Sequence, residues 1–117
     1  CCIRNIGILG DPFSVADNPH TQENTIPGRV GILIQQAILV NMQSVEVSGA
    51  FQDAGIKFEQ PAPGAGIPFD KCLFSAVNVI LNMSQLYPGQ SYPNARAWKG
   101  LEFVDRNRVT FIQCNNP

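Results

Sequence analysis

Charge is scarce in this chain. Asp, Glu, Lys and Arg make up 15% of its 117 residues, and eight basic against nine acidic side chains leave a formal net charge of −1. No basic stripe is present to neutralise a run of phosphates, which excludes nucleic-acid binding by bulk electrostatics. Long apolar runs are missing as well. The longest, Val30 to Val40, is interrupted by Gln35 and Gln36 and falls short of the roughly 20 apolar residues a membrane helix needs. No EF-hand or dinucleotide fingerprint is found, and Pro63-Gly64-Ala65-Gly66 lacks the lysine and helix start of a phosphate loop. His20 is the only histidine, too few for paired acid and base imidazoles, and no Gly-x-Ser-x-Gly nucleophile elbow accompanies it.

What is present is consistent with one domain. A chain of this length buries roughly two thirds of its unfolded surface, enough for a single core over residues 1–117. Its four cysteines, Cys1, Cys2, Cys72 and Cys114, are an even number in a short chain, which reads as a disulfide framework in an oxidising compartment. Of the three possible pairings, a vicinal Cys1–Cys2 ring is strained, so the adjacent pair is expected to reach Cys72 and Cys114, in an order left open. A chain opening on Cys1-Cys2 also reads as a product of signal-peptide removal, and the expected location is extracellular. The cysteines lack the two matched short spacings of a zinc site, so neither metal nor other cofactor is expected.

The elements follow from periodicity. Ile3 to Leu9 reads as a strand ending at Gly10-Asp11-Pro12. Val30 to Met42 fits either a helix or two strands around Gln35-Gln36, with β-branching favouring the strands. Ser44–Ser48 and Ile56–Glu59 alternate, and Asp53-Ala54-Gly55 offers a hairpin turn between them. Leu73, Ala76, Val77, Ile80 and Leu81 repeat at three and four, which predicts an amphipathic helix over about 70–86 capped by Asp70. Leu101–Val104 and Val109–Cys114 read as a final hairpin. The expected fold is therefore α+β: an antiparallel sheet of about five to six strands, one main helix, and disulfide staples.

Among candidate sites, Asn82-Met83-Ser84 is an N-glycosylation sequon, although so short a motif also arises by chance. The segment Tyr87 to Gly100 gathers Tyr87, Tyr92, Arg96, Trp98 and Lys99, residue types that dominate interfaces and stack on sugars. The plainer account of Trp98 is that it covers the core. Glu46 and Glu59 occupy outward strand phases and read as solubilising residues, and His20 as a loop histidine.

A helix opened by Asp70-Lys71-Cys72, the Trp98-x-Gly100 step before a last hairpin, and Cys114 closing it give residues 68–114 a pattern that resembles small secreted cysteine-bearing proteins of filamentous fungi, a class of effectors, elicitors and killer-toxin-like proteins. The resemblance implies a non-enzymatic protein that acts outside the cell by binding a host or competitor molecule; the partner is expected to be a protein or glycan, and the chain to be a monomer without cofactor. It carries over no functional residue. The rival readings are a small secreted hydrolase, a nuclease or glycan-degrading enzyme using His20, Glu46 or Glu102, and a lectin-like or lipid-binding module lined by Trp98 or by Val30–Met42.

Overall fold

The structure, a computed structural model, describes residues 1–10, 13–14, 25–60, 62, 68–86 and 89–117. Its strands are β1 (Cys2–Gly10), β2 (Phe13–Ser14), β3 (Thr25–Ile26), β4 (Gly28–Ile34), β5 (Ala37–Ile38), β6 (Asn41–Gly49), β7 (Phe51–Phe58), β8 (Phe69–Asp70), β9 (Cys72–Leu81), β10 (Arg96–Lys99) and β11 (Val109–Ile112). Every pairing except β2 with β3 is parallel. Strands β1-β6-β9-β11 form one sheet, β4-β7-β10 a second, and β5-β8 a third. Following the chain, each pass visits the first sheet, the second and, in the two earlier passes, the third, and returns one strand further along. This path is a parallel β-solenoid, in which each coil buries its apolar side chains only against its neighbours.

The register explains why these sequences stack. Ile3, Met42, Phe74 and Phe111 lie in one row across the first sheet, Ile8, Val47 and Val79 in another, and Ile32, Ile56 and Trp98 in a row of the second. Apolar side chains therefore meet apolar side chains one coil away, and the buried valines and phenylalanines each contribute about 1.5–3 kcal/mol. An aromatic cluster fills part of the interior: Phe58 meets Phe69 and Phe74 edge-on at 5.3 and 5.7 Å, and Phe74 stacks on Phe111 at 5.2 Å.

Strands β1, β6 and β9 bend at one level, and the chain does the same just past the end of β11. Asn5, Ser44, Ala76 and Gln113 all adopt left-handed φ angles of 52–54°, and the flanking pairs put them in register with one another. The bend moves the inward phase by one residue, so the buried positions run Met42, Val45, Val47 and again Phe74, Val77, Val79. A second left-handed pair, Leu39 and Lys71, turns each coil back into the first sheet.

The α+β expectation is overturned. Residues 72–81 are strand β9, followed only by the 3-10 turn Met83–Gln85. The shifted phase across Ala76 turned a period of two into spacings of two and three, and outward Leu73 and Ile80 completed a false helical stripe. Neither expected hairpin is present. Strands β6 and β7 lie in different sheets, and Leu101–Phe103 is a 3-10 turn while β11 pairs parallel with β9. The strand over Ile3–Leu9 and the two strands either side of Gln35-Gln36 are found, but as rungs of the solenoid. The helix and hairpin that carried the fungal resemblance are accordingly not there.

The disulfide framework is corrected too, because all four cysteines are free. Cys2 lies on β1 and Cys72 on β9, with β6 between them; two strand spacings are about 10 Å, beyond the roughly 7 Å a disulfide tolerates between Cα atoms. Cys72 is buried with its thiol donating to Ala37 and Asp70 carbonyls, and Cys114 donates to Phe74 O. No helix among the described residues is long and apolar enough to cross a membrane.

The two ends of the stack differ. At the β1 end, Ile6 is 47% exposed while its row partners Val45 and Val77 are 1% and 0% exposed. At the other end β11 covers only Cys72–Ser75 of β9, and the side chain of Asn115 takes over beyond it. Its Oδ1 accepts from Val79 N–H at 2.7 Å and its Nδ2 donates to Val79 O, in the manner of a further strand. Arg106 lies over the Phe111 ring at 4.8 Å.

One corner recurs on every coil. Gly10, Gly49 and Leu81 are in register where the first sheet ends. From Gly49 the chain crosses through Ala50 directly into β7, whereas residues 11–27 and 82–95 intervene at the same corner on the other two coils.

Candidate functional site

The outer face of the second sheet carries the most concentrated polar chemistry among the described residues. Because β7 and β10 pair with Ile56 beside Trp98 and Lys57 beside Lys99, alternation sends the apolar row inward and stacks the two lysines outward one coil apart. Two ammonium groups at neighbouring rungs repel. Asp53 offsets that repulsion: its carboxylate accepts from Lys57 Nζ at 2.7 Å and from Lys99 Nζ, with its side chain 17% exposed. Glu59 lies 3.9 Å from Lys57 Nζ on the other side.

The hydrogen bonds from Lys57 and Lys99 hold the Asp53 carboxyl below its ordinary value of 3.8, against a smaller opposing effect of burial. A carboxylate whose folded pKa is depressed adds stability above its unfolded pKa, and that stability is lost as pH falls through the folded value. We therefore expect Asp53→Asn to lower stability by about 1 kcal/mol at neutral pH, in the range of partly exposed ion pairs. The difference from the wild type should shrink below pH 3.8. Urea titrations of both proteins at neutral and acid pH measure this; a difference that persists undiminished in acid refutes the assignment.

Gly100 shapes the floor beside this network. Its φ is +80°, and a Cβ there would lie 1.7 Å from Phe58 O, so the glycine lets the chain pass over β7 and turn at once into Leu101–Phe103. That turn brings Glu102 and Phe103 against Lys57, Glu59 and Lys99 around an open cleft of about 520 Å³. A second cleft of about 510 Å³ shares Lys57 and Glu59 and adds Arg29, Val30 and Leu33 from β4. The two meet along the outside of three successive coils.

The sequence-predicted residues scatter relative to this surface. Lys99 is in the cleft, and Glu59 and Glu102 join it. Trp98 is 8% exposed, stacked on Phe58 at 6.4 Å and edge-on to Phe111 at 5.8 Å, so its ring belongs to the core although the residue borders the cleft. Arg96 is exposed at the start of β10, but its guanidinium donates to Pro93 O and Ala95 O at 2.9 and 2.8 Å. Tyr92 is half-buried, and its carbonyl accepts from Ala95 N–H. Tyr87 and His20 lie outside the described residues. Glu46 sits on the first sheet beside Asn78, away from the cleft. Asn82 is exposed.

Arg29, Leu33, Asp53, Lys57 and Phe103 were not singled out from sequence. The outward phase of Glu59 was visible, but the meeting of Lys57 with Lys99 depends on a register between coils. No family model, curated protein or solved structure matches this chain.

Proposed function

We propose that this chain is a non-enzymatic binding module that holds an extended glycan along the outer face of its second sheet. The observation that carries the reading is the pair of clefts meeting at Lys57 and Glu59, which together offer an open groove across the coils. Their walls supply ammonium and carboxylate groups to bond hydroxyls, and the Phe103 ring, 39% exposed, offers a flat apolar surface for a sugar ring. An extracellular setting belongs to this reading; it rests on the sparse charge and the Asn82 sequon, and no longer on sulfur bridges.

A hydrolase reading draws on Glu59 and Glu102 sharing one cleft. General acid catalysis needs one carboxyl desolvated, whereas the Glu59 side chain is 42% exposed and Glu102 is exposed too. Binding therefore fits better than turnover.

Calorimetric titration against a panel of soluble neutral and uronate-containing polysaccharides tests the proposal. At least one polymer should bind, and Phe103→Ala should weaken it by about tenfold, the loss of one interface anchor, with thermal unfolding unchanged. Absence of binding across the panel, or binding indifferent to Phe103→Ala and Glu102→Gln, rejects it. Release of reducing ends that stops in Glu59→Gln or Glu102→Gln would instead establish the hydrolase.

A further inference from the structure

The sequon Asn82-Met83-Ser84 plays no part in the cleft, and its geometry is specific. Asn82 is the first residue after β9, exposed at the corner where this coil leaves the stack. Its backbone N–H donates to Gly49 O at 2.7 Å, which fixes its position against the neighbouring coil. Its side-chain Oδ1 accepts from Ser84 N–H at 3.2 Å and from the Ser84 hydroxyl. Nδ2 makes no hydrogen bond to any described residue, and Ser84 is itself exposed.

We propose that Asn82 is an acceptor of an N-linked glycan. Both side-chain bonds of the turn span two residues, so the turn can form before the coils have stacked, when an acceptor is first met. After folding, the exposed corner leaves room for the sugar. The hydroxyl and amide of Ser84 bond the carboxamide oxygen, which turns the nitrogen outward as the nucleophile. In the transfer, Nδ2 bonds to the anomeric carbon of an oligosaccharide carried on a lipid pyrophosphate. The anomeric C–O bond breaks, the lipid pyrophosphate departs with that electron pair, and Nδ2 gives up one proton. Strand β9 behind the site is pinned by the Asn115 bonds to Val79, so the glycan is carried on a fixed part of the fold.

The test uses the full chain behind a secretory leader in a eukaryotic host, with intact mass and peptide mapping before and after enzymatic removal of N-glycans. The expected result is one glycan on most secreted molecules, converted to Asp at position 82 on release, absent from Asn82→Gln and Ser84→Ala, and retained in Ser84→Thr. Translation of the same chains with microsomal membranes gives a readout that does not depend on folding or export. Unmodified Asn82 in both systems, or a glycan that survives Ser84→Ala, overturns the proposal. Neither outcome bears on polysaccharide binding in the cleft, which the calorimetric titration measures separately.

Discussion

Phe58→Ala is expected to remove about 3–5 kcal/mol, a large part of the 5–15 kcal/mol typical of a whole domain. Phe58 is fully buried, and its ring touches Phe69, Phe74, Trp98 and Phe111. Those partners come from all three sheets and from successive coils, so the cavity left by truncation opens at the place where the coils are joined. Relaxation cannot close it cheaply, because the backbones on every side are held in register by ladder hydrogen bonds. Urea unfolding should show the loss, and hydrogen exchange should place the first opening in β9 to β11. A loss under about 1 kcal/mol would mean that the aromatic cluster does not carry the packing assigned to it.

Gly49→Ala should cost about 3 kcal/mol or more, from two sources that add. Gly49 has φ of +106°, a conformation closed to residues with a Cβ except at a penalty of about 1–2 kcal/mol. An added Cβ would also lie 2.2 Å from Gly10 O and 2.8 Å from Gly10 N. Those are backbone atoms of the adjacent coil, so the spacing between β1 and β6 must widen to admit it. Gly7→Ala is the matched control, since nothing lies within 4 Å of a Cβ at Gly7. Melting temperatures of the two variants settle the point, and equal stability would show that the corner is looser than its geometry implies.

These effects centre on contacts between coils, which is also where the sequence was least legible. Single strands could be read, because Ile3–Leu9 is rich in isoleucine and closes on a turn sequence, Ser44–Ser48 alternates, and Gln35-Gln36 breaks an apolar run. The outward phase of Glu59 was legible for the same reason, since it depends only on period two along one strand, whereas residues 96–99 read as loop and the core role of Trp98 rested on the residue type alone. The repeat was hidden because the coils differ in length. Cys2 pairs with Asn41, Asn41 with Leu73, and Cys72 with Val109, so no fixed period connects equivalent positions. The left-handed step at Ala76 then disguised β9 as a helix, and cysteine counting carried no information about which strands separate the thiols. Asp53, Lys57 and Lys99 became a cluster only once β7 and β10 were aligned.

The unequal coils also say how this scaffold accepts change. Chain of very different length enters at the corner after Gly10, Gly49 and Leu81, and again between Phe58 and Phe69 where the previous coil has only Gln35-Gln36, yet the strands before and after keep their partners. Foreign peptide grafted into residues 89–94 would hang from a pre-existing exit point, and the ladder that carries the molecule's stability would not need to be rebuilt around it.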